Sequence, residues 1–221
     1  MSRLPVFVVL VLAAPVFAQN VPPPPLQQPV TVASPPIAEP PAPAAAVSRE
    51  EGLGAWARIY EVASHPRCQN CHVGADNIPM WSGPTYGRSR PHGMHISAGE
   101  SRIGAEYVPC GACHAQLVEG AGQAPHMAPQ VATYWQLAPV EAAWFGKSSA
   151  EVCAQLSDTD LNGGRDQNDL AEYLRDDAVS GGMTQWGWNP GGGREPAPYS
   201  LEEFANDILA WGAAGFPCAE G

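Results

Sequence analysis

Two pentapeptides carry the residues best suited to chemistry, Cys68-Gln69-Asn70-Cys71-His72 and Cys110-Gly111-Ala112-Cys113-His114. Each sets two thiols three positions apart, with an imidazole directly behind the second. Three chemistries use cysteines in this way. A zinc ribbon would place all four thiolates on one ion. A thiol-exchange site would use one pair, ordinarily beside a βαβ pattern, and no such pattern is visible in the sequence. Covalent haem attachment uses both thiols for thioether bonds to the vinyl groups, and the next residue ligates the iron. Only the last requires the histidine, which occurs twice. One turn of helix would set both sulfurs along a porphyrin edge and swing the imidazole under the metal. The spacing predicts two haem c groups, held by Cys68, Cys71, Cys110 and Cys113, with His72 and His114 as proximal iron ligands.

The opposite face of each iron needs a donor. The remaining histidines are His65, His92, His95 and His126, and Met80, Met94 and Met127 offer thioethers. His65 stands three residues before Cys68. To reach the far face of its own haem it must wrap the porphyrin edge on a tether of seven residues, at most ~23 Å when extended. Donation to the neighbouring haem is easier, so His65 is expected on the iron of His114. The competing reading is a loop histidine that hydrogen-bonds locally.

Two further groups are chemically suggestive. Cys153 and Cys218 precede no histidine, and in an oxidising compartment they are expected to pair as a disulfide; service as an iron ligand is the alternative. Closing a loop of about 66 residues would stabilise the fold by roughly 4 kcal/mol in the chain-entropy account. The stretch DTDLNGGRDQND, residues 158–169, resembles a calcium loop. Asp158, Asp160 and Asn162 would stand at positions 1, 3 and 5 and Gly163 at position 6. Gly164 would offer its carbonyl at 7, Asp166 its side chain at 9, and Asp169 would replace the usual bidentate Glu at 12. Alternatively, the glycines simply shape a helix-to-helix turn.

Helices must position these groups. Ser48 with Glu51, and Ser200 with Glu203, are capping boxes. Behind them Leu53, Trp56, Ile59 or Tyr60, and Ala63, and then Leu201, Phe204, Ile208 and Trp211, recur at helical spacing. Helices are also expected over Pro139–Gly146, Ser149–Leu156 and Asp169–Ala178, and each Cys-rich motif should open a short one. No strand alternation persists. Only 38 residues lie between Cys71 and Cys110, too few for a complete single-haem domain. The fold class expected is mainly α, with long irregular loops around two close haems. Trp186 and Trp188, like Trp135 and Trp144, are read as packing against cofactor or core.

The chain has 221 residues and a formal net charge of −11. Residues 1–18 have the anatomy of a secretory signal peptide, with Arg3 ahead of an apolar run and a small-residue site ending at Ala18. The run is shorter than the roughly 20 residues of a spanning helix. Residues 19–47 are Pro-rich and read as an extended linker, leaving residues 48–221 for one domain. Removing the leader takes away Arg3 and no acid, so −11 becomes −12. Such a charge argues against nucleic acid and anionic membranes and favours a basic docking surface on a protein partner. Periplasmic location and no stable membrane insertion follow as expectations.

HPRCQNCH, its spacing to CGACH, QLAP, CAQL followed by NGGR, and WGWNPGGGREPAP together resemble small bacterial dihaem cytochromes, the isoquinoline 1-oxidoreductase subunit family, over roughly Ser64 to Cys218. The Cys-rich motifs are shared by c-type cytochromes generally; WGWNPG and NGGR point to this family. The resemblance implies electron transfer alongside a molybdenum-containing dehydrogenase. It also implies His92, within PHGMHISAG, as distal ligand of the other iron, that of His72. The segment from Gln123 to Leu137 looks longer than the family's connection and carries His126. The expected function is electron carriage without enzymatic turnover. The alternative is a dihaem enzyme, a peroxidase or small-substrate dehydrogenase, with one open or weakly ligated haem.

Overall fold

Four helices begin with the same local chemistry. Ser48, Ser148, Asp166 and Ser200 each adopt extended backbone and accept main-chain N–H groups on their side chains. Glu51, Glu151, Asp169 and Glu203, three residues on, accept the N–H of the cap in return. These reciprocal bonds satisfy donors that a helix start otherwise leaves without partners. The computed structural model describes residues 46–83, 87–114, 128–129, 134–176 and 182–219. The predicted leader and most of the Pro-rich linker lie outside the described residues, as do His126 and Met127. The chain divides into residues 1–43 and a unit from Ala44 to Gly221.

The helices of that unit are α1 (Arg49–Ala63), α2 (Pro66–Gln69), α3 (Gly111–His114), α4 (Ser149–Ser157), α5 (Gln167–Arg175), α6 (Met183–Trp186) and α7 (Leu201–Ala213). The unit is mainly helical, as the sequence predicts. Helices α1 and α5 both pack on α7. Ala55, Trp56, Ile59 and Val62 of α1 meet Phe204, Ala205, Ile208 and Trp211 of α7 in one buried cluster, with Val152 and Cys153 of α4. The rings of Trp56 and Trp211 stand 4.8 Å apart. The Trp56 indole N–H donates to Ser149 Oγ at 2.8 Å, tying α1 to the start of α4. The helices approach closely where side chains are missing. A Cβ on Gly52 would overlap Ala214, and one on Gly212 would overlap Gln167. Arg58 of α1 donates from Nε to the buried Asp207 of α7 at 2.9 Å. Cys153 and Cys218 form a disulfide that holds the end of the chain against α4.

Three local expectations change. Residues 139–146 form a single 3₁₀ turn, Val140–Ala142, in place of a helix. The reason is tertiary, because the N–H groups of Trp144 and Phe145 both donate to the His72 carbonyl, at 2.8 and 2.9 Å. Secondly, α2 starts at Pro66, ahead of its motif, and does not open at Cys68. Thirdly, a short antiparallel pair appears, β1 (Met80–Trp81) with β2 (Arg90–Pro91), in register Met80 to Pro91 and Trp81 to Arg90. Two residues per strand are too few to display a period-2 pattern. Among the described residues no helix is long and apolar enough to cross a membrane.

Candidate cofactor site

The first motif is positioned by the end of α1. After Ser64 the backbone extends at His65, and Pro66 occupies the first helical position of α2, where its missing N–H costs nothing. The His65 Nδ1 accepts the N–H of Arg67 at 3.4 Å and so caps α2. Cys68 and Cys71 follow on the wall of a cavity of about 550 Å³. Their dense surroundings push Cys68 up to about 12 and Cys71 up to about 11, so each stays protonated at neutral pH. That is opposite to the low-pKa thiolate of an exchange site.

The His72 ring is fixed on two sides. Its Nδ1–H donates to the Ala142 carbonyl at 2.7 Å, because a carbonyl can only accept, and the ring lies flat on Trp144 with centroids 3.5 Å apart. Trp144 is itself anchored by donating to the Ala63 carbonyl at 2.9 Å. Burial holds His72 down at about 4. The imidazole is therefore neutral, and its Nε2 lone pair is available as a metal ligand. The 3₁₀ turn that replaces the expected helix is thus the support of this histidine.

The second motif repeats the arrangement. Pro109 leads into α3, and Cys110, Cys113 and His114 line a cavity of about 460 Å³. His114 Nδ1–H donates to the Pro129 carbonyl at 3.0 Å. Burial lowers its pKa, with smaller contributions from His92 and Arg194. Trp135 lies 4.3 Å from the His114 ring and meets Trp186 edge-on at 5.2 Å. The two cavities share a wall made of Arg67, Cys71, Gln136 and Leu137. Val73, Ala98 and Leu137 form a separate small core beside it.

His92 stands across the second cavity from His114, with ring centroids 6.2 Å apart. Its Nδ1–H donates to the Gly93 carbonyl at 2.9 Å, which again leaves Nε2 as the ligand atom. With metal–nitrogen bonds of about 2 Å and ~1.1 Å from nitrogen to ring centre, two axial imidazoles stand roughly 6.3 Å apart. The centroid distance matches that spacing, with the ring planes 64° apart and edge-on. Behind His92 the backbone turns sharply, with positive φ at Met94 (59°) and His95 (54°). Non-glycine residues in that region are strained by roughly 1–2 kcal/mol each, and the turn presents His92 to the cavity.

The geometry brings the candidate distal histidines together differently from the crossed assignment. His92 faces His114, not His72, and His65 is on the wall of neither cavity. The lone pair of His65 Nδ1 serves the α2 cap, which places the ring proton on Nε2. In the acidic loop the side-chain oxygens take local bonds. Asp158 accepts the N–H of Asp160, Asn162 Oδ1 accepts the N–H of Arg165, and Asp166 with Asp169 caps α5. Gly163 and Gly164 hold positive φ, so the loop is built as a turn between α4 and α5. Among the described residues no three Cys, His, Asp or Glu side chains converge as a metal site, the calcium positions and the four motif thiols included. Sequence reasoning missed the supporting Ala142 and Trp144, and Met183, which lines the first cavity.

No protein-family profile, no curated protein and no solved structure matches this chain.

Proposed function

We propose that this chain is a two-haem c-type cytochrome that carries electrons between protein partners, in the periplasm if its leader acts as the sequence predicts. The spacing of His92 and His114 carries the reading. Two imidazoles stand 6.2 Å apart, and among the described residues no third Cys, His, Asp or Glu joins them. A metal between them must bring its other ligands with it, and Cys110 and Cys113 on the same cavity wall supply the tether. The first motif offers the same set in Cys68, Cys71 and His72. Both cavities fall within the 300–1,000 Å³ of cofactor pockets. Haem supplies a one-electron couple; the protein's residues do the rest.

Ala142 and Pro129 orient the two proximal imidazoles by accepting from Nδ1, which also raises the basicity of Nε2. With haem bound, His92 and His114 would together hold the second iron, which favours a carrier over a peroxidase or dehydrogenase. The shared wall at Cys71 and Leu137 brings the two groups close enough to exchange electrons. Trp81, Met94 and Val108 are 41%, 77% and 47% exposed on the walls of the second cavity, an apolar edge at which a partner can dock. The family resemblance makes a molybdenum-containing dehydrogenase one partner class.

The experiment is electron exchange with a basic redox protein as salt is raised. A mature charge of −12 steers such a partner, and steering weakens as the Debye length falls from roughly 10 Å at 0.1 M to 3 Å at 1 M salt. Exchange should slow steeply over that range, and hydrogen peroxide or oxygen should give no turnover. Salt-independent exchange together with measurable peroxidase or dehydrogenase turnover would overturn the carrier reading in favour of the enzyme.

A further inference from the structure

We infer that Met183 is the distal ligand of the iron held by His72, so that the two haem sites differ in axial chemistry. The inference rests on the two-haem reading above and goes beyond it. The cavity that holds Cys68, Cys71 and His72 has a second wall formed by α5, α6 and α7. Met183 opens α6 on that wall. Among the described residues lining this cavity, His72 and Met183 are the side chains that carry a neutral imidazole or thioether donor apart from the two tethering cysteines. The other described histidines are accounted for elsewhere. His65 caps α2, His92 faces His114, and His95 is exposed and lines neither cavity.

Two of the other polar side chains on this wall, Gln155 and Asn162, are already engaged, while the carboxylates of Glu141 and Asp160 also line it. Gln155 donates to the Glu141 carbonyl at 2.7 Å and accepts from Lys147 at 2.6 Å. Asn162 spans Leu156 and Arg165. The Tyr173 ring is covered by the Arg165 guanidinium at 4.7 Å. Met183 also has the mechanical context of a ligand. It sits one turn from Trp186, which is buried on the wall of the other cavity, so α6 touches both sites and holds its first residue on a fixed element.

The consequence is a direction. A His/Met pair raises the reduction potential of haem iron relative to two histidines. The site of His72 and Met183 is then the better electron acceptor, and the site of His92 and His114, whose walls reach the surface through Trp81 and Met94, is the donor to it. Electrons entering at the exposed second site would collect at the first.

The test uses the full holoprotein. The oxidised protein should show the long-wavelength thioether-to-iron(III) absorption band, and a redox titration should resolve two steps. Met183→Leu should abolish the band, turn one of the two irons high-spin and remove the higher-potential step, while mass spectrometry still counts two haems. Met183→His should restore a low-spin spectrum without the band and bring the two steps together. A wild-type protein with two haems but no thioether band would overturn the inference and leave the two-haem reading standing. So would loss of the band in Met94→Leu or Met127→Leu and not in Met183→Leu. A first haem opened by His65→Ala, His126→Ala or Tyr173→Phe, with Met183→Leu silent, would also overturn it. A chain with no covalent haem would fail the underlying reading instead.

Discussion

His92→Ala opens the iron held by His114. The oxidised protein should pass from two low-spin irons to one low-spin and one high-spin, and the reduced protein should bind carbon monoxide at one iron without displacing a side chain. The effect is expected to be large at that site, because the His92 ring stands 6.2 Å from His114, although Met80 and Met94 line the same cavity. Covalent attachment should persist, since Cys110, Cys113 and His114 are untouched. The proximal ring also keeps its bond to the Pro129 carbonyl. The same variant is the route by which this scaffold would acquire peroxidase activity. His65→Ala is the informative companion. Under crossed ligation it would perturb the iron of His114; with His65 as a helix cap it should leave both irons unchanged and cost about 1 kcal/mol of stability. High-spin iron at His114 in the His65 variant, and at His72 in the His92 variant, would restore the crossed arrangement. Low-temperature electron paramagnetic resonance separates these outcomes.

The second large effect is on stability. Replacing Cys153 and Cys218 together by Ser removes a cross-link between positions 65 apart in sequence. In the chain-entropy account that gives up about 4 kcal/mol, which for a domain of this size lowers the Tm by roughly 10 °C. The loss should exceed that of an exposed bridge, because Cys153 is fully buried among the α1, α4 and α7 side chains and a Ser hydroxyl there lacks the surroundings it needs. The haem spectrum should be unchanged, since neither sulfur lines a cavity. A non-reducing digest of the natural chain should yield the linked peptide. Alkylation of either cysteine without reduction would contradict the bridge, and a spectral change would return one of them to the iron.

What was legible in the sequence is what local chemistry determines. Ser48 with Glu51 and Ser200 with Glu203 announce α1 and α7, and both helices start where those caps stand. The motif cysteines and histidines fall on cavity walls. The pairing of Cys153 with Cys218 followed from their standing apart from both motifs. What was not legible depends on contacts far apart in the chain. Residues 139–146 have helical composition, yet the His72 carbonyl takes two of their N–H groups and Ala142 turns to support the His72 ring. His65 is expected on the neighbouring iron because its short tether to Cys68 disfavours its own, but a histidine just before Pro66 is also well placed to cap a helix. Met183 lies in a short Gly-Gly-Met-Thr segment with no periodic signal, so nothing in its neighbourhood announced that α6 faces the first cavity.

The central claim, two covalently held haems in one small chain, is tested most directly by the intact mass of the mature protein together with a pyridine haem count. The account predicts two haem additions and a count of two per chain. In the variant with Cys110 and Cys113 both changed to Ala, both values should fall to one, with the iron of His72 retained. A colourless chain carrying zinc, or an unmodified mass with all four motif thiols open to alkylation, would contradict it.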